Sequence, residues 1–252
     1  MPRGICKLCN KEKDLSLSHI IPRSYYKFMK GDASQLVEII EGNDEPLCTN
    51  GDKKEYLLCA RCEDKLNRKY EGYGTVILKN RKKIVKITDD RLHFEYDYKK
   101  LYLFFSSIMW RVSVSSKYPG ISLGGFDSIL ADCIYNNTLN IKHPEVRVDN
   151  FLKIYLIKLT DKSKTYSDDT LRKILFDFRF ERTSDQGNFA FYWVVGGFLI
   201  CYHFNTKHQF GDSTGILSTE GKMLIPIADI SNFKSIIDSF NLAFDMKSRP
   251  PK

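Results

Sequence analysis

Ile5-Cys6-Lys7-Leu8-Cys9-Asn10 and, further on, Leu57-Leu58-Cys59-Ala60-Arg61-Cys62-Glu63 decide how the first part of this chain folds. Each stretch is a Cys-x-x-Cys hook, and two such hooks can present four thiolates to one tetrahedral Zn²⁺. The chain has seven cysteines. An odd count in a chain read as cytosolic argues against a disulfide framework and for metal binding by the paired ones. Cys48, Cys133 and Cys201 stand alone; the last two lie in apolar runs and read as core residues. The second hook opens a helix expected over residues 61–70, whose amides and dipole favour thiolate charge. A small segment with little apolar core of its own depends on such a staple to fold. Two unrelated pairs, or one redox pair, are the plainer alternatives, and the joint spacing favours zinc.

The charge pattern points the same way along the chain. The net charge is +8, with 28% charged and 42% hydrophobic residues, the composition of a globular protein. Within residues 1–30, Arg3, Lys7, Lys11, Lys13, Arg23, Lys27 and Lys30 face only Glu12 and Asp14. A basic excess around the first hook favours a polyanionic partner. Residues 1–10 have no apolar core of the signal-peptide kind. The most apolar stretches, 101–110 and 189–204, fall short of the roughly 20 residues of a membrane span. A soluble cytoplasmic protein is expected.

Past Gly72–Gly74, taken as a break, strand-like runs at 75–78, 83–88 and 93–98 suggest a short β-meander with turns at Asn80-Arg81 and Asp89-Asp90. Leu101, Phe104, Phe105, Ile108 and Val112 recur at helical spacing, with Leu103, Trp110 and Val114 on another side, so this helix should be buried. A second helix is expected over 126–136 and a strand over 151–159, while 170–178 reads as either. Two apolar runs, 189–195 and 198–204, flank Gly196-Gly197 and predict a β-hairpin. Pro226 would confine a strand over 223–227 to a sheet edge. An amphipathic helix over 231–244 should close the fold, and the tail 248–252 reads as disordered.

Between the hooks lies Leu15-Ser-Leu-Ser-His-Ile-Ile-Pro-Arg. A zinc hook, a histidine followed by two apolar residues and proline, then Leu58-Cys59-x-x-Cys62 opening a helix, resembles the HNH endonuclease family. Ser18-His-Ile-Ile-Pro22, Cys62-Glu63 and Trp110-Arg111 are similar to a group of bacterial HNH-like proteins. The core of the resemblance covers about residues 5–72. It implies a ββα-metal, treble-clef-like fold in which His19 is the general base that activates water, at a ring pKa near 6.5. It also implies a divalent cation on the facing helix. Glu63 and Asn67, four apart, share a helical face that Glu71 continues, and such oxygen ligands suit Mg²⁺ or Mn²⁺. The chain departs from the family at Ser18, where Asp or His is usual, at Glu63, where His is usual, and at Lys54 in place of the middle asparagine, with Asn50 nearby.

The expectation is therefore an α+β protein in two parts. Residues 1–75 would form the zinc-stabilised HNH domain and residues 76–252 an α+β domain for targeting, sensing, protein partners or homo-oligomer assembly. The reaction would be metal-dependent hydrolysis of nucleic-acid phosphodiesters, DNA ahead of RNA, with restriction or phage defence as the setting that the resemblance implies. Arg23 and Lys27 would contact phosphate, and Tyr25 and Tyr26 would stack or pack. The competing readings are a catalytically inactive zinc-finger protein that binds nucleic acid, and a protein-interaction adaptor.

Overall fold

The first hook is the turn between two strands, β1 (Arg3–Ile5) and β2 (Glu12–His19). Asn10, at φ 52°, takes the left-handed conformation that lets the chain double back. The Cys6 amide donates to the Lys11 carbonyl and the Asn10 amide to the Cys6 carbonyl, so the turn closes on itself. After β2 come α1 (Arg23–Lys30), β3 (Leu36–Ile39) and β4 (Leu47–Thr49); then β5 (Lys54–Cys59) returns to pair antiparallel with β2 and runs straight into α2 (Ala60–Leu66). The result is a three-stranded sheet in the order β1-β2-β5. The computed structural model describes residues 1–33, 35–40, 47–49, 53–79, 84–142, 145–182, 188–205, 214–234, 236–238 and 241.

The helix begun by α2 does not stop at Gly72–Gly74. A π turn (Asn67–Glu71) leads into α3 (Gly72–Lys79), and the boundary expected at residue 75 lies inside that helix. Residues 75–78 are thus helical and not the first strand of a meander. Their β-branched preference is overridden by packing. Thr75 is buried and its hydroxyl meets that of Ser24 at 2.9 Å. Gly74 lies beneath the ring of Phe104, where a Cβ would come within 2.1 Å of Cδ1. What reads as a linker glycine is the contact point between α3 and α4 (Tyr98–Val114).

The strands after α3 are β6 (Ile84–Thr88) and β7 (Arg91–Glu95). The buried helix is present as expected: α4 is buried from Leu101 through Val112, with Asp97 as N-cap accepting from the Lys100 amide. Next come α5 (Phe126–Asn136), β8 (Leu152–Thr160), α6 (Asp168–Arg172), β9 (Ile174–Arg182), β10 (Asn188–Val195), β11 (Phe198–Asn205) and β12 (Lys222–Asp229). Residues 170–178, ambiguous in sequence, divide between α6 and β9. The β10–β11 hairpin turns on Gly196 and Gly197 at φ 60° and 80°, with Val195 paired to Phe198.

One nine-stranded sheet orders these as β4-β3-β9-β10-β11-β8-β12-β7-β6. Both β3 and β4, from between the two zinc hooks, thereby belong to the large sheet, with β3 parallel to β9. One apolar core runs from Cys6 and Leu8 through α4 and α5 to one face of this sheet; a second, with Leu159, Phe176 and Ile230, covers the other face. Pro226 is not on an edge. It sits where β12 exchanges neighbours: residues 222–226 pair with β7 and residues 227–229 with β8. A residue without an N–H is tolerated there because the β7 ladder ends at it. Where a closing helix is expected over 231–244, the chain first makes a 3₁₀ turn (Ile230–Asn232) capped by Asp229; residues 234, 236–238 and 241 are helical, and the others from 235 on, with the tail 248–252, lie outside the described residues. No helix among the described residues is long and apolar enough to cross a membrane.

Gly74 offers a direct check on the α3–α4 contact. Gly74→Ala pushes a methyl into the Phe104 ring and should cost about 1–3 kcal/mol despite alanine's better helix propensity. Urea unfolding of the variant reads this; an unchanged or raised midpoint would refute the close packing.

Candidate metal centre and the polar cluster behind it

The geometry of β1, β2, β5 and α2 brings Cys6, Cys9, Cys59 and Cys62 together, with all four sulfurs within 4.8 Å of one another. A tetrahedron with Zn–S bonds of about 2.3 Å has edges of about 3.8 Å, so the donors suit one metal ion. Cys6, Cys59 and Cys62 are buried and Cys9 half-buried. The Lys7 amide donates to the Leu57 carbonyl at 3.0 Å and the Cys59 amide to the Cys6 sulfur at 3.3 Å, docking one hook on the other. The Cys6 thiol is pulled down to about 4, chiefly by the hydrogen bond from Cys62, and the same contact pushes Cys62 up. Burial raises Cys9. This is a four-cysteine site capable of holding a structural zinc ion. Cys48, Cys133 and Cys201 take no part in it.

Behind the metal centre lies a polar cluster inside the apolar core. Ser18, fully buried, donates to Glu63 Oε2 at 2.8 Å. Arg111, on the buried helix α4 and itself fully buried, donates from Nη1 to Glu71 Oε1 at 2.6 Å and to the His19 carbonyl at 3.1 Å, and from Nε to the Ser107 carbonyl at 3.2 Å. Burial raises the Glu63 carboxyl above its ordinary value; the Ser18 hydrogen bond and the Arg111 charge oppose the rise, and Glu71 adds to it. The π turn helps to bring the two carboxylates to one side. An α-helix turns about 100° per residue, so eight residues would carry Glu71 about 80° past Glu63, and the wider π turn gives part of that rotation back.

The other residues singled out in the sequence are placed as follows. His19 ends β2, half-buried, opposite Lys54 of β5. Strand alternation puts Leu17 and His19 on one face and Ser18 on the other, the face that reaches Glu63. Asn67 is exposed at the start of the π turn, and Arg23 and Lys27 are exposed on α1. Tyr25 and Tyr26 are buried, with the Tyr25 ring stacked on Phe104 at 5.8 Å, so both pack. Asn50 lies outside the described residues.

A catalytic divalent cation fits this donor set poorly. Glu63 is engaged by Ser18, Glu71 is paired with Arg111, and Asn67 faces solvent. Among the described residues the four cysteines are the only group of three or more His, Cys, Asp and Glu side chains that converges as metal ligands do. Arg111 entered the sequence reading only through the Trp110-Arg111 resemblance. The signal that marks it independently is that it is the single charge within the apolar stretch 101–114, since a buried charge needs partners.

The fold and site together define an α+β protein with a buried four-cysteine metal site. No family model, curated protein or solved structure matches the chain.

Two measurements test the site. Elemental analysis should find a single zinc per chain, and Cys62→Ser should lose most of it together with several degrees of Tm, as expected when metal binding and folding are coupled. Ser18→Ala removes a hydrogen bond to a partly buried carboxylate and should cost about 1–3 kcal/mol in chemical denaturation while leaving the zinc content unchanged. Loss of zinc from Ser18→Ala would show that the two sites are not separate.

Proposed function

We propose that this chain is a zinc-stapled nucleic-acid-binding protein, built on an HNH-like module that lacks a catalytic cation. The observation that carries this reading is the excess of exposed basic side chains on the elements that carry and follow the metal centre, with Lys11, Lys13 and Arg61 beside the cysteines themselves. Arg3, Lys7, Lys11, Lys13, Arg23 and Lys27 are all exposed, and Arg61, Arg68 and Lys69 extend the set along α2 and the π turn. Arg3 and Arg68 have acidic partners in Glu12 and Asp64, both exposed, and the remaining basic side chains are in excess and able to take up phosphates. The order of β2, β5 and α2, with a hook at each end, supports the ββα-metal likeness. The engagement of Glu63 and Glu71 supports a module that binds without cutting.

A second reading, hydrolysis of nucleic-acid phosphodiesters with His19 as base, draws on one specific observation. Burying a guanidinium beside two half-buried carboxylates at the end of β2 is costly, and such clusters concentrate where function needs them. DNA would be the first substrate to test, and defence against foreign DNA the setting.

Fluorescence anisotropy with labelled duplex DNA and with RNA, between about 50 and 200 mM salt, tests the first reading. The binding constant should fall steeply with salt. Arg23→Ala combined with Lys27→Ala should flatten the log–log slope by about 2. His19→Ala should bind as wild type does. Weak, salt-insensitive association would instead favour the adaptor. Cleavage of plasmid by wild type with Mg²⁺ or Mn²⁺, lost in zinc-loaded His19→Ala, would establish the nuclease.

A further inference from the structure

Arg111 places a fully buried guanidinium beside the acidic side of the helix that follows Cys62. Its guanidinium bonds Glu71 at 2.6 Å and the carbonyl of His19 at 3.1 Å, and the residue before His19, Ser18, donates to Glu63 at 2.8 Å. The Arg111 side chain is buried and does not use all its hydrogen-bonding capacity: Nη2 has no partner among the described residues. A buried guanidinium with one nitrogen left unmatched contributes through its charge and position more than through hydrogen bonds. It comes from α4, it is fixed by the Ser107 carbonyl, and it also ties down the carbonyl of His19 at the end of β2.

We propose that Arg111 is a built-in cation, which neutralises the Glu63–Glu71 pair and takes the part that a divalent ion would play in holding the helix after Cys62 against the end of β2. The site then needs no Mg²⁺ or Mn²⁺, and a second positive charge entering it would be repelled. The inference deepens the reading of a binding module without a catalytic cation, and rests on it. It also has a consequence that reading lacks. Removing the guanidinium, with the carboxylates kept, should turn the cluster into a divalent-cation site, because two carboxylates with a nearby serine hydroxyl are oxygen donors of the kind Mn²⁺ and Mg²⁺ accept.

The experiment is a Mn²⁺ titration of the zinc-loaded full chain, followed by electron paramagnetic resonance of free Mn²⁺ and by thermal unfolding, with no nucleic acid present. Wild type and Arg111→Lys should show no Mn²⁺ binding that depends on Glu63. Arg111→Met, which keeps the aliphatic length, should take up one Mn²⁺ about tenfold or more tighter than wild type and gain Tm with added Mn²⁺. Adding Glu63→Gln to Arg111→Met should abolish both gains. Arg111→Met that folds and gains no Mn²⁺ overturns the proposal. So does wild type that binds Mn²⁺ and loses it in Glu63→Gln, an arm that decides the matter even where Arg111→Met does not fold. Because the readout is metal and not nucleic acid, its failure leaves the salt-dependent binding test standing, and the reverse holds too.

Discussion

Four sulfurs gathered within 4.8 Å are the constraint on which the first part of this protein depends. The segments that carry them are short: β1 has three residues and α2 seven. Neither could hold its place by its own apolar burial. Joining the two hooks through a metal fixes the turn between β1 and β2 against the junction of β5 and α2. Everything behind that junction inherits its position. Ser18 reaches Glu63 because β2 is pinned beside α2, and Glu71 reaches Arg111 because α2 continues through a π turn toward α4.

The two sites divide the work by chemistry. The four-cysteine site offers four soft sulfur ligands, a full tetrahedral set, which is the character of a structural centre. The polar cluster uses hard oxygen atoms and a guanidinium in a part of the core where each charge must be answered. A comparable arrangement ties the large sheet to the loop before β5, where Lys53 bridges Glu38 at 2.8 Å and Asp177 at 2.5 Å beneath the Tyr118 ring. Lys53 also offers its carbonyl to the Ile20 amide. The backbone at His19 and Ile20 is therefore held by two residues whose side chains are ion-paired, Arg111 with Glu71 and Lys53 with Glu38 and Asp177.

What could be read from sequence was what neighbours in sequence decide. The two hooks, the α4 and α5 spacing, and the Gly196-Gly197 hairpin all follow from residues a few positions apart. The misreadings arise where distant packing decides. Thr75 and Val76 look like strand, yet Phe104 accepts only a glycine at 74 and draws that segment into a helix. Pro226 looks like an edge residue, yet it stands where one strand passes between two neighbours. The candidate site was half legible for the same reason. Its ligand types were visible along the helix, but the bond from Ser18 to Glu63 spans 45 positions and that from Arg111 to Glu71 spans 40, and these contacts determine what the carboxylates are free to do.

The pairing of Val37 with Ile174 sets an order of events during synthesis. All four thiolates have left the ribosome once Cys62 has, so the metal module has its ligands early. The strand enclosed between the hooks has its parallel neighbour only after more than half of the chain has been made. Non-local parallel pairing of this kind is slow and leaves an edge waiting for a partner. A growing chain can thus acquire its metal well before it acquires its sheet, and the early clasp holds the waiting strand in a closed loop instead of on a free end.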